Sequence, residues 1–409
     1  MMVTFHNTDP DDIHMGYVLA RYPVLSETFI LRELLALQNR GVRLSIYTFD
    51  ADTLRTPHDI LDQITAPVIY LPSRHRRHMI LRAFLYWAIR HPRNVFTVLC
   101  GSGSSEALRT CLGAMYLAYK AREDPPNHIH VHFISSPSAA AWTMARLLGI
   151  NFSVTAHAHD IFLSSHTALQ KRIKQAAWIR TISRFNRRIL RSIAPSESWK
   201  IEVIRAGIDP VRFSYAPKEI KTAEPVHLVS VGRLVEIKGM DTLIDAVALL
   251  SDIQWHLSIA GDGPLRSSLE SYADTRGLSS RITWLGPQSE KAISRLLSRA
   301  DIFILASKRD SAGNMDGIPV VLMEALSRGI PTISTDISGI PELLGGGAGC
   351  IVPSRAPESI ADAVRVLLAN SPLTARMRSR GRRRIERGYD INRTSQYLLT
   401  RFTRLMRRE

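Results

Sequence analysis

Short apolar runs alternate with longer amphipathic segments along nearly the whole chain. In the first half, strands are predicted over MGYVLA, RLSIYTF, PVIYL, IHVHF and FSVTA. In the second half, strands are predicted over VHLVSVG, WHLSIAG, RITWLG, DIFILAS and PTIST. The intervening segments, such as MDTLIDAVALL, have the apolar spacing of helices. Because regular alternation of strand and helix is typical of parallel sheets, the pattern predicts an α/β protein with doubly wound domains.

The alternation lapses over residues 205–225, which are rich in proline and charge. We therefore predict an N-terminal domain over residues 1–208, a linker over 209–225 and a C-terminal domain over 226–387. A last helix, over 388–409, is expected to pack back on the N-terminal domain. A chain of 409 residues is too long for one ordinary core, which agrees with two domains.

The charge is strongly positive, since 53 Lys and Arg residues against 37 Asp and Glu residues give +16. Such a chain attracts nucleic acid, anionic membranes and phosphorylated substrates. No zinc finger, RNA-binding aromatic motif or basic zipper is present in the sequence, so nucleic acid is not a predicted partner. Residues 76–90 mix arginines with large apolar side chains, which suits a helix lying on an anionic bilayer. An ordinary surface helix with its apolar stripe in the core is the alternative.

Three features bear on location. No apolar stretch reaches the roughly 18 residues of a membrane-spanning helix. The opening MMVTFHNTDPDD lacks a basic segment followed by an apolar one, so no secretory signal is expected. The three cysteines are unclustered and have neither disulfide nor zinc spacing, which favours a reducing cytosol.

Glycines and charged residues follow the predicted strands of the C-terminal half, where ligands of doubly wound sheets bind. Arg233 and Lys238 come after VHLVSVG and could neutralise a diphosphate. Asp316 and Glu324 lie eight positions apart, one just before and one within the helix that is predicted to open at Gly317–Pro319, and both could reach one ligand. A capped surface helix with an ordinary Glu324 is the alternative. The GDGP segment with Gly263 permits close approach of backbone to ligand, but is weak alone.

In order and spacing these elements resemble the C-terminal domain of the retaining family 4 glycosyltransferases. The family pattern is GRL..KG, GDGP, EGxPxxLxEAxAxG and SxxxGxPE, and this chain has GRLVEIKG, GDGP, DGIPVVLMEALSRG and TDISGIPELL. The resemblance is close over residues 226–342 and looser elsewhere. It implies the GT-B fold, in which two Rossmann-like domains face each other across a cleft. Asp316 stands where the family has Glu, which leaves the identity of the donor open.

The resemblance also implies roles for individual residues. Arg233 and Lys238 would hold the donor phosphates, and Glu324 would bind the ribose hydroxyls. Asp316 would act as a catalytic residue. The nucleotide base of the donor would bind at the loop Gly286–Gln288. Further donor contacts are implied for Gly263, Gly317, Ile318, Pro319 and Val320.

The N-terminal half contains YPVLSETFI, which resembles the FPxxSETFI opening of family members that build exopolysaccharides of the colanic-acid type. Ser26 and Glu27 are therefore expected at a helix start in the cleft. In SVTAHAHDIF, His157 matches the family's strand-end histidine near the reacting carbon, which implies a catalytic role. Asp160 would orient His157 or an acceptor hydroxyl. A structural role for both is the alternative.

Two other motifs point to chemistry that we do not predict. HIHVH places His128, His130 and His132 on one face of a strand, where they could bind zinc. No fourth ligand is evident in the sequence, so no metal site is predicted. VFTVLCGSGSSEAL resembles a dinucleotide loop but lacks the third glycine, and we interpret it as a connection between helices.

We therefore expect a retaining, metal-independent hexosyltransferase that uses a UDP- or GDP-sugar as substrate and no cofactor. Cations would replace a divalent metal, since the sequence has no Asp-x-Asp motif placed as a metal site. The expected acceptor is a lipid-linked oligosaccharide at the inner face of the cytoplasmic membrane, with the enzyme cytoplasmic and peripheral. The alternatives are a non-catalytic basic protein of this fold that binds a membrane or a polyanion, and a nucleotide-sugar epimerase.

Overall fold

The computed structural model describes residues 13–24, 27–51, 60–101, 104–220 and 224–407. These residues fold into two compact units, each built on its own parallel sheet. Unit 1 is formed within Met1–Ile182, Arg187–Ile204 and Ser395–Glu409, and unit 2 within Ser183–Asn186 and Arg205–Thr394.

Unit 1 contains a seven-stranded sheet in the order β3-β2-β1-β4-β5-β6-β7. The strands are β1 (His14–Arg21), β2 (Arg43–Asp50), β3 (Val68–Tyr70), β4 (His128–His132), β5 (Asn151–Ala156), β6 (Trp178–Thr181) and β7 (Ile201–Val203). The helices are α1 (Thr28–Gln38), α2 (His78–Arg90), α3 (Pro92–Cys100), α4 (Ser105–Ala121), α5 (Ser136–Leu148), α6 (His159–Phe162), α7 (His166–Gln175) and α8 (Arg184–Ile193). The first three residues of α8, 184–186, belong to unit 2. All strand pairs are parallel, as the alternating pattern predicts.

Unit 2 contains a six-stranded parallel sheet in the order β10-β9-β8-β11-β12-β13. The strands are β8 (Val226–Val231), β9 (Trp255–Ala260), β10 (Ile282–Gly286), β11 (Ile302–Leu305), β12 (Thr332–Thr335) and β13 (Cys350–Val352). The helices are α9 (Met240–Ala248), α10 (Arg266–Thr275), α11 (Glu290–Arg299), α12 (Val320–Arg328), α13 (Ile340–Leu344), α14 (Pro357–Ala369) and α15 (Ser371–Gly388). The order reverses between β8 and β11, which makes this pair the switch point where ligands of such sheets bind.

The last helix, α16 (Ile391–Met406), belongs mainly to unit 1. Its buried side chains Leu398, Phe402 and Leu405 recur at helical spacing and pack in one cluster with Met15 and Trp178 of the unit 1 sheet. The helix therefore completes the core of unit 1 from the far end of the chain.

The segment predicted as a linker, residues 209–225, is packed on unit 2 where it is described. Phe213 is buried in the core of that unit, and the amide of Ala216 donates to the carbonyl of Arg328 at 3.1 Å. The segment around Cys100 connects α3 to α4, so the prediction of a helix-to-helix connection is confirmed. No helix in the described part of the chain combines the length and the apolar content of a membrane span.

Candidate active site

The loops that follow β8 and β11 bring the predicted charged residues of unit 2 together. The ammonium group of Lys238 donates to both carboxylate oxygens of Asp316 at 2.9 Å. The hydroxyl of Ser307 donates to the same carboxylate at 3.0 Å. Both members of the ion pair have side chains that are 13% exposed, so they are reachable yet shielded from most solvent. Asp316 therefore meets a cation at the switch point of the sheet.

Two glycines let the loops of this site approach one another. Gly239 has φ +61°, and a Cβ there would lie 1.9 Å from the carbonyl oxygen of Ala306, at the end of β11. Gly261 has φ +137°, and a Cβ there would lie 1.9 Å from the carbonyl oxygen of Gly232. Neither contact is possible for a side chain, so Gly239 of GRLVEIKG and Gly261 of GDGP are required by packing between strand ends. Gly263 is likewise explained, since its Cβ would meet the backbone of Leu234 at 2.5 Å.

The start of α12 lies next in the chain after Asp316. Pro319 is the residue just before the helix and makes no capping hydrogen bond, and the first amides of any α-helix lack partners within the helix. The carbonyl of Gly317 accepts from the amide of Gly339 at 3.2 Å, which ties this start to the loop after β12. Glu324 lies further along α12 and is buried, whereas Arg233 is exposed. The arrangement places amides, cations and a carboxylate around the same strand ends.

The remaining predicted contacts are in the same set of loops. Ile318 is buried, Val320 begins the first turn of α12, and Gly286 ends β10. The side-chain amide of Gln288 donates to the carbonyl of Leu285 at 2.6 Å, which shapes the loop predicted to seat the base. Roles for these residues stay predictions.

Sequence reasoning missed Ser338, in the loop after β12. Its φ is +52°, which is unusual for a residue with a side chain, and it is buried. Its hydroxyl has no hydrogen-bond partner among the described residues. The loop packs on the start of α12, because a Cβ at Gly339 would lie 2.7 Å from the side chain of Ile318. Strain combined with an unsatisfied hydroxyl is typical of functional sites.

We expect Ser338→Gly to raise the free energy of unfolding by about 1 kcal/mol and to lower turnover. Glycine accepts the positive φ without strain and removes the unsatisfied hydroxyl. If the hydroxyl meets the donor, kcat/KM falls by about tenfold, as for one lost hydrogen bond. Ser338→Ala is the matched control, since it removes the hydroxyl but keeps the Cβ. Urea unfolding and transfer kinetics check both effects, and a serine that can be replaced without change in either quantity contradicts the assignment.

In unit 1, His157 follows directly after β5. Asp160 binds the backbone of this residue, because its carboxylate accepts from the amides of His157 at 2.9 Å and Ile134 at 2.6 Å. Burial raises the pKa of Asp160 to about 6, although the backbone amides oppose the shift. Asp160 is only 2% exposed, so its contact with the chain around His157 is the role that its position supports.

The ring of His157 lies in an aromatic cluster. Its centroid is 4.7 Å from those of Phe29 and Phe133, and 5.3 Å from that of His132 in a stacked arrangement. Phe133 has φ +74°, a strained conformation for a bulky residue. Burial first, and then the positive charges nearby, hold the pKa of His157 well below its usual value. The His157 ring is therefore neutral and fixed in place.

A buried polar network lies behind this ring and was also missed. His132 bonds to Nε2 of His157 at 3.0 Å through Nδ1 and to Glu33 at 3.1 Å through Nε2. Glu33 also accepts from the hydroxyl of Tyr17 at 3.0 Å and from the guanidinium of Arg180. Burial alone would raise the pKa of Glu33, but Arg180 and His132 outweigh it and hold this pKa well below its usual range. The carboxylate is therefore ionised and can only accept.

Because Glu33 only accepts, His132 must donate through Nε2. The other ring nitrogen of His132, Nδ1, is then the atom that meets Nε2 of His157 at 3.0 Å. Glu33 therefore fixes the orientation of the His132 ring against His157. The HIHVH motif shows in the sequence that several histidines lie on one strand, but nothing in the sequence links them to Glu33.

Glu33, His130 and His132 carry potential metal ligands within 4.8 Å of one another. Their atoms are already used in hydrogen bonds, since His130 bonds to Ser153 and Thr155 at 2.8 Å each. A cation here would also face the guanidinium of Arg180. The arrangement favours a hydrogen-bonded network over a metal site.

We expect the free energy of unfolding to fall as the pH drops below about 6.5. Burial lowers the pKa of His128 to about 3, and holds the pKa values of His130 and His157 well below normal. The unfolded state therefore binds more protons below pH 6.5, and each net proton costs about 1.4 kcal/mol of stability per pH unit. Because the pKa of Asp160 is raised to about 6, the folded state takes up one proton at this residue as the pH falls through 6. This uptake offsets the extra binding of one proton by the unfolded state.

Urea unfolding between pH 7.5 and 5 measures this dependence. In the His128→Gln variant, the slope of the free energy of unfolding against pH should be smaller by the equivalent of about one proton, since this variant lacks one titrating group. An unchanged slope in this variant, or a flat profile in the wild type, would contradict the titration assigned to the buried histidines.

Of the two remaining predicted residues, the structure places Glu27 at the start of α1. Glu27 precedes the helix and is half-buried, and its amide donates to the carbonyl of Val24 at 3.0 Å. Ser26 lies outside the described residues, so its predicted role is untested.

Comparison with known proteins agrees with this geometry. A family model described as glycosyl transferases group 1 matches residues 212–384, and one described as a glycosyl transferase 4-like domain matches residues 26–218. The chain is 28% identical to WcaL of Escherichia coli K12, provisionally named as a colanic acid biosynthesis glycosyltransferase, over 85% of this chain and 88% of that one. It is 30% identical to the alpha-D-kanosaminyltransferase of Streptomyces kanamyceticus, over 61% and 70%.

Among solved structures, Anabaena HepE in complex with UDP matches with a TM-score of 0.73 at 16% identity, over 96% of this chain and 99% of that one. The two Rossmann-like units thus define a protein of the GT-B fold. The chain belongs to the group 1 glycosyl transferase family. The family and the fold expected from the motifs are both confirmed.

Proposed function

We propose that this glycosyltransferase moves a hexose-type sugar from a UDP- or GDP-sugar to a growing exopolysaccharide oligosaccharide, with retention of anomeric configuration. The observation that carries the proposal is the Lys238–Asp316 pair, which lies where β8 and β11 end beside the start of α12. At this position a diphosphate can bind to cations and helix amides, and a sugar can bind to a carboxylate.

In the proposed reaction, the bond between the anomeric carbon and the diphosphate breaks, and its electron pair stays on the diphosphate oxygen. Lys238, Arg233 and the first amides of α12 stabilise that charge as it develops. The acceptor hydroxyl attacks the carbon on the face from which the diphosphate leaves, and its proton passes to the diphosphate. These cations do the work of a divalent metal, so we propose that transfer needs none.

Asp316 has two proposed tasks. Without donor it holds Lys238 in place, since both of its oxygens accept from the ammonium group at 2.9 Å. When Lys238 turns to the diphosphate, the carboxylate can accept from a sugar hydroxyl. Glu324 is proposed to bind the ribose, and in unit 1 His157 is the proposed active-site side chain.

The substrate class rests on the relatives. WcaL carries a provisional assignment to colanic acid biosynthesis, and the SETF segment of this chain matches that type of enzyme. We therefore propose a lipid-linked oligosaccharide as acceptor, which places the reaction at the inner face of the cytoplasmic membrane.

Helix α2 is the proposed membrane contact. Its Ala83 and Trp87 are buried, so one apolar face packs in the core of unit 1. A second apolar row remains exposed, since Leu81, Leu85 and Ile89 are 57%, 50% and 79% accessible. The exposed basic residues around this row, Arg77, Arg82, Arg90 and Arg93, suit an anionic bilayer.

The donor site is tested by a thermal-shift panel of UDP, GDP, ADP and CMP, with and without magnesium. We expect one nucleotide to raise the melting temperature of the wild type without magnesium, and to leave Glu324→Ala unchanged. A shift that needs magnesium would contradict metal independence. If no nucleotide shifts the wild type, a non-catalytic basic protein becomes the better interpretation.

Sedimentation with vesicles tests the membrane contact. We expect the wild type to bind vesicles of phosphatidylcholine with phosphatidylglycerol, and Leu85→Ser/Ile89→Ser to bind at least about tenfold more weakly. Val211→Ser/Val366→Ser, which also removes two exposed apolar side chains, is the matched control. Equal binding by both variants would rule out α2 as the contact.

A further inference from the structure

An arginine-lined cavity of about 680 Å³ lies in unit 2, and none of its lining residues that the structure describes is among those proposed to bind the donor. No acidic side chain is among the described residues that line it. Six guanidinium groups surround the cavity, from Arg184, Arg205, Arg380, Arg383, Arg384 and Arg387.

Four of these arginines lie on one face of α15. Arg380, Arg383, Arg384 and Arg387 are spaced as i, i+3, i+4 and i+7, so their side chains are neighbours. Like charges at this spacing destabilise a helix unless something neutralises them. The acidic residue of this helix, Glu386, pairs with Arg382 at 2.6 Å instead. The face therefore concentrates positive charge toward the cavity.

Backbone carbonyls accept from two of the guanidinium groups, and one of them is Arg380, which donates to the carbonyl of Gly346 at 3.5 Å. Arg384 donates to the carbonyls of Glu342 at 3.1 Å and Gly345 at 2.8 Å. A Cβ at Gly347 would lie 2.5 Å from the guanidinium of Arg380, so the glycine loop makes room for these groups. The donors are thus positioned in advance, which lowers the entropy cost of binding an anion.

One carboxylate in the described part of unit 2 neutralises part of this charge. Glu342 pairs with Arg205 at 3.3 Å, and its other oxygen accepts from the amide of Phe185 at 2.8 Å. This leaves five of the six lining charges without a carboxylate counterpart among the described residues. A ligand with several negative charges would complete the site.

We propose that this cavity binds a diphosphate or a similarly phosphorylated group, separately from the donor. Planar guanidinium groups bind phosphate oxygens through paired hydrogen bonds, and a diphosphate carries enough charge to engage several of them. The same chemistry occurs in the diphosphate of a lipid-linked molecule and in a phospholipid headgroup. The site is independent of the assignment of Lys238 and Arg233 to the donor.

Calorimetry with inorganic pyrophosphate tests the site, with every variant made in a Lys238→Ala background to weaken binding at the donor site. We expect Arg383→Gln/Arg387→Gln to bind pyrophosphate at least about tenfold more weakly than its parent, as charge-assisted hydrogen bonds are lost. Both residues are exposed, so the fold should persist. Arg295→Gln/Arg299→Gln removes the same charge at the same spacing from exposed positions of α11, and should bind as its parent does.

Vesicle sedimentation separates the two sources of phosphate. In a Leu85→Ser/Ile89→Ser background, weaker binding of the Arg383→Gln/Arg387→Gln variant to phosphatidylglycerol vesicles would assign the site to lipid headgroups. Unchanged vesicle binding, with loss of pyrophosphate binding, would assign it to the diphosphate of a bound molecule. Equal pyrophosphate binding by the cavity variant and the α11 control would overturn the proposal.

Discussion

The Lys238→Ala variant is expected to lose about 100- to 1000-fold in kcat, the usual effect of removing one preorganised donor to a developing negative charge. Lys238 is the partly shielded cation of the proposed donor site, and it holds Asp316 through both carboxylate oxygens. On this proposal, the variant loses its contact with the donor phosphates and also releases Asp316. Transfer kinetics at saturating donor measure the effect.

Lys308→Ala is the matched control for this prediction. Lys308 is another lysine of unit 2 in an ion pair, since it meets Asp241 at 2.5 Å, so its removal also breaks a lysine–aspartate pair. We expect it to lower stability while leaving kcat within about threefold of the wild type. Equal losses of turnover in both variants would show that Lys238 acts through the fold. Unchanged turnover in Lys238→Ala would show that the phosphate assignment is wrong.

The Glu33→Gln variant is expected to lose about 3–5 kcal/mol in the free energy of unfolding. The side chains of Glu33 and Arg180 are 5% and 3% exposed, and removing the carboxylate leaves the guanidinium charge buried without compensation. Urea unfolding measures the loss. The orientation of His157 depends on the same network, so turnover should fall as well.

The double variant Glu33→Gln/Arg180→Met distinguishes coupling from simple loss of contacts. It removes both charges, so we expect it to be more stable than Glu33→Gln alone. If the free energy of unfolding of the double variant instead falls by the sum of the losses in Glu33→Gln and Arg180→Met, the two residues are not coupled. The buried charge then does not explain the effect.

The sequence was sufficient to predict the doubly wound α/β fold and the charged residues that follow the strands of unit 2. Strand and helix alternate with different periods, and Gly239, Gly261 and Gly263 lie where the backbone approaches too closely for a side chain. The contacts across the sheet could not be predicted in the same way. Lys238 and Asp316 are 78 positions apart and meet only because β8 and β11 are neighbours.

The buried polar network of unit 1 also depends on contacts between residues that are far apart in the sequence. Glu33 and Arg180 are 147 positions apart, and both are charged residues that a sequence pattern places at the surface. Helix α2 shows a second limit. Its pattern predicted one apolar stripe with two possible environments, whereas the structure has a buried face and an exposed row on the same helix. Periodicity indicates that apolar residues share a face, but it does not tell what covers that face.

The central claim is that this protein transfers sugar from a nucleoside diphosphate donor without a metal ion. The most direct measurement follows release of UDP or GDP from UDP-glucose, UDP-galactose and GDP-mannose by chromatography, in excess EDTA, with a bacterial lipid extract as the source of acceptor. We predict release of nucleoside diphosphate from one donor by the wild type, with the sugar recovered in the lipid fraction, and release about 100-fold slower or more by Lys238→Ala. Transfer that appears only when magnesium is restored, or an epimerised sugar still attached to its nucleotide, would contradict the claim.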